Sequence, residues 1–316
     1  MELVKHVFGP VPSRRLGQSI GINNIPPKIC TYACPYCQIG KAIKMQLTLQ
    51  PFYPPPLFVD EVKETLNHLS FLDQKPDYLT IVPDGEPTLD SQLSELIRQL
   101  KFFNIPIAII TNGSLLYLRE VQEALFQCDY VSVKVDSVIE PIWRAVNKPV
   151  KSLSLKVVLG GIEQFSHHFQ GRLVTETMLL KEVNDSLNSV RATADFIHSL
   201  NPVVAYIGIP TRPTALQDVF PADEEAVNRT YQIYSERIPQ VELLTGYEGN
   251  AFSSVGDFEA DLLSITAVHP MREDAVIDLL NKTMTSADRL NKLLEQGVIK
   301  KIFYNDHFFY VRRFRS

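Results

Sequence analysis

Residues 30–37 read CTYACPYC and place three of the chain's four cysteines, Cys30, Cys34 and Cys37, within one short stretch. The surrounding residues 8–42 contain several Pro and Gly residues, which is typical of a loop rather than of a buried core. Three clustered thiols cannot all pair with one another in disulfides, and such clusters in a reducing cytosol more often hold a metal or take part in redox chemistry. The stretch therefore predicts a metal centre on a loop.

The spacing C-x3-C-x2-C lets three thiolates converge on one small centre. Iron-sulfur clusters are usually held by four cysteines, so a cluster held by three keeps one iron open to a further molecule. Two other interpretations remain open on the residues alone. One is a zinc site with a fourth ligand from elsewhere, although no histidine lies within the loop, and the other is three thiols that share no ligand.

Composition and charge indicate the broad class to which the protein belongs. The chain has 316 residues, 45% of them hydrophobic, and a formal net charge of -5. It has no apolar run of about eighteen residues, and its N-terminus, MELVKHVFGPVPSRR, lacks the pattern of a secretory signal. These features predict a cytoplasmic globular protein that does not span a membrane. The net negative charge argues against a protein that coats nucleic acid, although a local basic patch is compatible with it.

Strand-like and helical segments alternate through most of the chain. Amphipathic helical segments such as VDEVKETLNHLSFL separate six strand-like segments: SIGINNI, DYLTIV, IPIAIITNG, DYVSVKVDS, GRLVTETMLL and PVVAYIGIP. This alternation predicts an α/β fold with a parallel sheet, and six strands are too few for a closed eight-stranded barrel. We therefore predict a partial, TIM-like (β/α)6 barrel. The cysteine loop follows the first predicted strand, at the end of the sheet where such folds carry their chemistry.

The pattern changes after residue 245. Residues 258–316 contain three short helical segments followed by VIKKIFY and HFFYVRR, which predict a two-stranded ribbon with a tight turn. We predict a core domain over residues 1–245, a linker over 246–257 and a small winged-helix-like domain over 258–316. Basic residues alternate with aromatic residues in the ribbon, which favours either packing against its own helices or contact with a nucleic-acid backbone.

The cysteine motif also carries a family resemblance. CTYACPYC resembles the signature of the radical SAM superfamily, with Tyr36 as the aromatic residue before the last cysteine. The resemblance implies an enzyme in which the three cysteines ligate a [4Fe-4S] cluster whose fourth iron binds S-adenosylmethionine. It further implies that one electron, from a donor such as flavodoxin or ferredoxin, cleaves this cofactor to a 5'-deoxyadenosyl radical that abstracts hydrogen from a substrate. These residues do not identify the substrate.

Further motifs of the superfamily fall at the ends of predicted strands. IVPDGEPTL resembles the GGEP segment near the methionine end of the cofactor, with Asp84 where a glycine is usual. ITNG and VKVDS resemble segments near the ribose and carboxylate of the cofactor. The resemblance covers about residues 8–240. It implies the cofactor-binding residues Tyr36, Gly85, Glu86, Pro87, Asn112, Lys134 and Asp136.

A closer resemblance concerns the branch grouped with the wyosine-tRNA synthases. It is carried by VFGPVPSRRLGQSIGI, VNDS and PTRPTA, and it implies a tRNA-base-modifying enzyme as one alternative. Unlike those basic synthases, the chain is acidic overall and has no further N-terminal cysteines for a second cluster. Arg212 in PTRPTA, at the end of the sixth predicted strand, is a candidate for contact with the substrate. A nucleic-acid-binding regulator with an iron-sulfur or zinc centre is another alternative, because it would explain a winged helix. An adaptor or maturation factor with a degenerate radical centre is a third, suggested by Asp84 in place of glycine.

Overall fold

The computed structural model describes residues 5–246 and 256–313 of the chain. The strands of its larger part are β1 (Val7–Ser13), β2 (Gly17–Ile22), β3 (Ile29–Cys30), β4 (Lys44–Met45), β5 (Tyr78–Ile81), β6 (Ile107–Thr111), β7 (Tyr130–Lys134), β8 (Arg172–Met178), β9 (Val204–Gly208) and β10 (Val241–Leu244). Eight of them form one sheet in the order β1-β2-β5-β6-β7-β8-β9-β10. β1 is antiparallel to β2, and each later pair of neighbours is parallel.

The six strands predicted from the sequence are β2 and β5 to β9, and they lie side by side in chain order. The sequence did not predict the two outermost strands. β1, VFGPVPS, contains two prolines, which remove backbone donors and restrict a strand to the edge of a sheet. β10 has only four residues, none of them fully buried, and so lacks the apolar run of a central strand.

Helices connect the parallel strands and cover the sheet. They are α1 (Pro55–Phe71), α2 (Leu93–Leu100), α3 (Arg119–Leu125), α4 (Glu140–Asn147), α5 (Leu155–His168), α6 (Leu187–Ser199) and α7 (Glu224–Ser235). In α2 the buried residues Leu93, Leu96, Ile97 and Leu100 recur at intervals of three and four, so one stripe of the helix faces the core. Within residues 5–246 and 256–313, no helix is long and apolar enough to cross a lipid bilayer.

The C-terminal unit has its own apolar core. Its elements are α8 (Phe258–Val268), β11 (Met271–Arg272), α9 (Glu273–Lys282), α10 (Ala287–Glu295), β12 (Ile299–Tyr304) and β13 (His307–Arg312). β12 and β13 form the predicted antiparallel ribbon, and β11 adds a third strand that the sequence did not predict. The order helix, strand, two helices, two strands supports the winged-helix-like interpretation, which stays a prediction. Most of the predicted linker lies outside the described residues.

The C-terminal unit packs beside the carboxyl end of the sheet. Ala267 and Val268, at the end of α8, are buried against Phe8 of β1, and Val82 just after β5 packs on the same cluster. On the other side of this end, the hydroxyl of Tyr304 donates a hydrogen bond to the carbonyl of Pro210, which follows β9, at 3.2 Å. The unit therefore adjoins the edge of the sheet at which the strand-end loops gather.

Candidate active site

The cysteine loop is held by backbone hydrogen bonds to a segment more than a hundred residues away. Ala33, in the centre of the loop, donates from its N–H to the carbonyls of Asn147 at 3.2 Å and Lys148 at 3.0 Å, where α4 ends. Within the loop, the N–H of Cys37 donates to the carbonyl of Cys34 at 3.1 Å and closes a turn. The loop is therefore fixed by the barrel rather than by its own residues alone.

A cavity of about 290 Å³ lies at the carboxyl ends of the parallel strands. The cysteine loop forms one wall, and the others are formed by residues that end or follow β5 to β10 and by Arg14 and Arg15, which lie between β1 and β2. The predicted site residues that line it are Cys30, Cys34, Tyr36, Cys37, Gly85, Glu86, Asn112, Lys134 and Arg212. Pro87 and Asp136 are buried beside the cavity and do not line it. The fold thus brings together residues from five separate stretches of sequence.

The three thiols line the cavity and lie near amide groups. Burial raises the pKa of each thiol, that of Cys34 to about 12, although each residue keeps part of its surface open. Coordination to iron deprotonates a thiol because the charge of the metal stabilises the thiolate. Amide groups also approach the sulfurs, with Asn112 Nδ2 3.7 Å from Cys30 Sγ and Asn147 Nδ2 3.6 Å from Cys34 Sγ. The donor set fits a positively charged cluster.

A single metal ion places stricter demands on its ligands than an iron-sulfur cluster does. In the described part of the chain, no three His, Cys, Asp or Glu side chains are placed to hold one ion. The ligands of one zinc ion must all lie about 2.0–2.3 Å from the same point. A cluster of four irons binds each thiolate through a different iron, so its cysteines need not meet at one point.

Asp136 holds the cysteine loop in place through hydrogen bonds, from the side of the loop away from the cavity. One of its carboxylate oxygens accepts hydrogen bonds from the hydroxyl of Tyr36 and from Asn147 Nδ2, the latter at 2.7 Å. The other oxygen accepts from the backbone N–H of Met178 at 2.7 Å. Asp136 therefore orients residues that reach the cavity. Asn147 was not predicted, because an Asn at the end of a helix reads as an ordinary helix terminus.

Glu86 organises the loops after β5 and β6 in a similar way. It is 1% exposed, and one carboxylate oxygen accepts from the hydroxyls of Thr88 and Thr111, both at 2.6 Å. The second oxygen accepts from the backbone N–H of Asn112 at 2.9 Å. Since both oxygens are occupied, Glu86 fixes the position of Asn112 next to Cys30.

Gly85 is required by a close approach of two backbones. The N–H of the next residue, Glu86, donates to the carbonyl of Ile29 at 3.1 Å. A Cβ atom added at Gly85 would lie 2.1 Å from that same carbonyl oxygen, closer than any real contact. Glycine at this position therefore lets the segment after β5 lie directly against the strand that carries Cys30.

Asp84, which replaces a glycine of the superfamily pattern, is a buried carboxyl group in the cavity wall. It is 2% exposed, and one of its oxygens accepts a hydrogen bond from Asn23 Nδ2 at 3.2 Å. Its other oxygen has no hydrogen-bond partner among the described residues. Burial raises the pKa of Asp84 to about 7, although Lys28 and Arg312 act to lower it. The chain thus carries a group that titrates near neutral pH at this position.

Lys134 belongs to a buried network of charges. Its ammonium group donates to one oxygen of Glu176 at 2.7 Å, and Arg15 donates to the other oxygen. Burial would raise the pKa of Glu176, but the two cations lower it to about 2. Glu176 in turn keeps the pKa of Lys134 above its usual value, against the effect of burial. Arg15 and Glu176 also line the cavity and were not among the predicted site residues.

Arg212 links the cavity to the C-terminal unit. It donates to the side-chain oxygen of Gln38 at 2.9 Å, and Gln38 Nε2 donates to the carbonyl of Val268 at 3.4 Å. Burial, with a smaller effect from the nearby charge of Arg212, lowers the pKa of His269 well below its usual value. Gln38 directly follows Cys37, so the C-terminal unit abuts the cysteine loop. The sequence alone gave no sign of this contact.

Comparison with known proteins identifies the family. The model of the radical SAM superfamily matches residues 24–197. The UPF0026 protein of Methanocaldococcus jannaschii is 43% identical over 311 residues, which are 98% of this chain and 96% of the relative. A UPF0026 protein of Helicobacter pylori strain J99 is 37% identical over 214 residues, 67% of this chain and 68% of the relative.

Two solved structures share the fold. A radical SAM methyltransferase from Sphaerobacter thermophilus aligns with a TM-score of 0.55 and 16% identity, over 72% of this chain and 66% of the other. TYW1 with a lysine-pyruvate adduct bound aligns with a TM-score of 0.53 and 13% identity, over 71% of this chain and 76% of the other. The likeness confirms the predicted α/β fold as the partial barrel of radical SAM enzymes.

The family match covers more than half of the chain and includes all three clustered cysteines. Radical SAM enzymes use a [4Fe-4S] cluster and S-adenosylmethionine, and these are therefore the cofactors of this enzyme. The three thiols described above fit the cluster. The chain belongs to the radical SAM superfamily, among the proteins of the UPF0026 family.

Proposed function

We propose that the chain holds a [4Fe-4S] cluster through Cys30, Cys34 and Cys37, and that it cleaves S-adenosylmethionine to a 5'-deoxyadenosyl radical that abstracts hydrogen from a substrate. The observation that supports this proposal most directly is that the three thiols line one cavity, next to Gly85 and Asn112. When bound, the cluster supplies the electron for this cleavage. The protein supplies the placement of the cofactor, the exclusion of water and the fixed charges around it.

The geometry supports two kinds of role for the cofactor-binding residues. Tyr36, Gly85, Asn112 and Lys134 line the cavity and are suited to direct contact with the cofactor. Asp136 is suited to a positioning role, because its hydrogen bonds fix Tyr36 from behind the cavity wall. Two further residues of the predicted set, Glu86 and Pro87, are suited to fixing the course of the loop after β5.

A reaction of the wyosine type is the second candidate, because of the sequence resemblance and the fold shared with TYW1. The TYW1 structure carries a lysine-pyruvate adduct. A lysine can form such an adduct only when its amine is uncharged. Lys134 pairs with Glu176 and keeps a raised pKa, so it is suited to binding an anionic group rather than to attack on a carbonyl. Lys28 also lines the cavity, and burial lowers its pKa, so the wyosine type of reaction stays the second candidate.

Contact with nucleic acid through the C-terminal unit is a separate proposal. Phe309 and Tyr310 are buried in the unit, whereas Phe303 is 62% exposed and Phe308 41% exposed on the ribbon. The ammonium group of Lys301 lies 4.2 Å from the centre of the Phe308 ring. Aromatic and basic side chains on one face are suited to stacking with single-stranded bases. Binding of tRNA that weakens steeply with salt would support this role.

The test of the main proposal is anaerobic reconstitution with iron and sulfide, followed by reduction with dithionite in the presence of S-adenosylmethionine. We expect about four irons per chain and the appearance of 5'-deoxyadenosine. A normal cluster without 5'-deoxyadenosine would favour a sensor or regulator, and bound zinc without iron would overturn the assignment.

We also propose a cytoplasmic location, because thiol ligands persist in a reducing compartment.

A further inference from the structure

The outer side of the cysteine loop carries a groove of about 580 Å³, which differs from the cavity in that its charged lining residues are all basic. One side of the groove is formed by Ala33 and Met45, and the other by the segment that follows α4. That segment contributes Arg144, Lys148, Pro149, Val150 and Lys151. Lys41 and Lys44 are exposed on the segment that carries Met45. Three cations therefore line the groove, and two more are exposed on the segment that forms its other side.

The segments that form the groove contain no acidic residue. Residues 3–59 include six Lys or Arg residues and residues 141–162 include four, and neither range has an Asp or Glu. Arg144 pairs with Glu140, which lies just outside the second range, at 2.7 Å. This is a local positive surface on a chain whose net charge is -5. Such a surface attracts a partner of opposite charge.

The centre of the surface is apolar. Met45 is 39% exposed in the groove, Val150 is half-buried across from it, and Ile43, two residues before Met45, is 56% exposed. Isolated apolar side chains at a surface are ordinary, but Met45 and Val150 line the same groove as Arg144, Lys148 and Lys151. An apolar centre with a charged rim is the arrangement of a protein–protein interface. Phosphate backbones are bound instead by charged and polar groups, so the exposed Ile43 and Met45 favour a protein over a nucleic acid.

The groove lies directly behind two of the proposed cluster ligands. In the short ladder of β3 and β4, Met45 is the register partner of Cys30, and the carbonyl of Cys30 accepts from Gln46 N–H at 3.1 Å. On the opposite side, Cys34 Sγ lies 3.5 Å from the carbonyl of Asn147, the residue before Lys148. Each ligand is thus within one hydrogen bond of the groove surface, which gives an electron a short path through the protein.

We propose that the groove formed by the 41–46 and 144–151 segments is the docking surface for a small acidic protein that carries one electron, of the flavodoxin or ferredoxin type. The inference rests on the proposed function. One electron leaves the reduced carrier and enters the cluster, and no proton or group is transferred at the groove. Redox partners form small and transient interfaces, in which exposed charges set the rate of encounter and are screened by salt.

The test uses the reconstituted full-length enzyme and two probes, an acidic flavodoxin and an acidic plant-type ferredoxin, titrated in their oxidised forms at low and high salt. The groove variant is Lys41→Glu, Lys44→Glu and Lys151→Glu. The control variant is Lys63→Glu, Lys75→Glu and Lys292→Glu, three exposed lysines on other segments. Both variants shift the net charge from -5 by -6 to -11, so only the location of the charge differs. Lys148 is left unchanged because its φ of 43° is strained for a side chain.

We expect wild-type enzyme and the control variant to bind at least one carrier, with an affinity that falls about tenfold at high salt. The groove variant should bind about tenfold more weakly and form 5'-deoxyadenosine correspondingly more slowly with the reduced carrier. With dithionite, which needs no protein interface, all three proteins should form it at the same rate. Unchanged thermal unfolding of the groove variant would show that it is folded.

Three results would overturn the docking assignment: no binding of either carrier to wild-type enzyme, equal weakening in both variants, or loss of tRNA binding in the groove variant while carrier binding is kept. Failure of wild-type enzyme to form 5'-deoxyadenosine with dithionite would count against the proposed function instead. Because carrier binding is measured without turnover, the two failures can be told apart.

Discussion

The hydroxyl of Tyr36 donates a hydrogen bond to the carboxylate of Asp136, which lies 100 positions later in the chain. Asn147 donates to the same oxygen and also approaches Cys34 Sγ at 3.6 Å. This contact therefore joins the cysteine loop to the end of β7 and to α4. Tyr36→Phe should lower the free energy of unfolding by about 1–3 kcal/mol, because a hydrogen bond to a buried charge is lost. Urea unfolding of the cluster-free protein measures it, with Tyr231→Phe at a more exposed site as the control.

Cys34→Ala should prevent formation of a full cluster, because the remaining two thiols of the loop cannot hold it. Iron and sulfide content and the visible absorption of the reconstituted protein measure the effect. Cys128→Ala is the matched control, since Cys128 is buried in the main core and does not line the cavity. It should keep the full iron content. An intact cluster in the Cys34 variant would remove that residue from the ligand set.

Asp84 should make the stability of the cluster-free protein depend on pH. Burial raises its pKa in the folded protein to about 7, against 3.8 for an ordinary Asp, and Lys28, Arg312 and Tyr53 interact with it electrostatically. The folded chain then binds more protons than the unfolded chain between about pH 4 and pH 7, so stability falls as the pH rises through this range. The difference amounts to at most about 4 kcal/mol, at about 1.4 kcal/mol per pH unit.

Asp84→Asn should flatten this dependence, while Asp60→Asn at an exposed site should leave it unchanged. The measurement is the free energy of unfolding at several pH values between 4 and 8. Identical slopes in wild-type protein and the Asp84 variant would mean that the carboxyl group is not buried as described.

Gly85→Ala should displace the segment after β5 from the strand that carries Cys30, because the new methyl group would meet a backbone carbonyl oxygen that cannot move aside. We expect a loss of stability of about 1–3 kcal/mol and weaker binding of S-adenosylmethionine. Gly160→Ala is the control, since nothing lies within 4 Å of a Cβ atom added there. Isothermal titration of the reconstituted proteins measures cofactor binding, and equal affinity for the two variants would contradict the close approach.

Glu176→Gln should destabilise the protein by about 3–5 kcal/mol, because Lys134 and Arg15 lose the negative charge between them. The pKa of Glu176 is about 2, below the ordinary 4.5, so its contribution is complete above about pH 4.5 and is lost only as the pH falls toward 2. Glu123→Gln, which breaks an exposed pair with Arg119, should cost less than about 1 kcal/mol. Thermal unfolding at neutral pH compares them.

The sequence predicted what is local. Each of the six central strands is a short apolar run, and three cysteines on one loop have few chemical uses, so both could be predicted from neighbouring residues. Asn147, Gln38 and Glu176 could not, because their importance arises from contacts with residues distant in the chain. Asp136 shows the same limit: the motif placed it near the cofactor, but only the packing of β7 against β8 reveals that it faces the cysteine loop from behind.

The anchoring of the cysteine loop also constrains the order of events during synthesis. Cys30, Cys34 and Cys37 leave the ribosome more than a hundred residues before the carbonyls of Asn147 and Lys148 that hold Ala33 in place. A nascent chain that ends before α4 has three thiols but no fixed loop. We therefore expect the proposed cluster to be inserted only after Asn147 and Lys148 have been translated and the loop has been fixed.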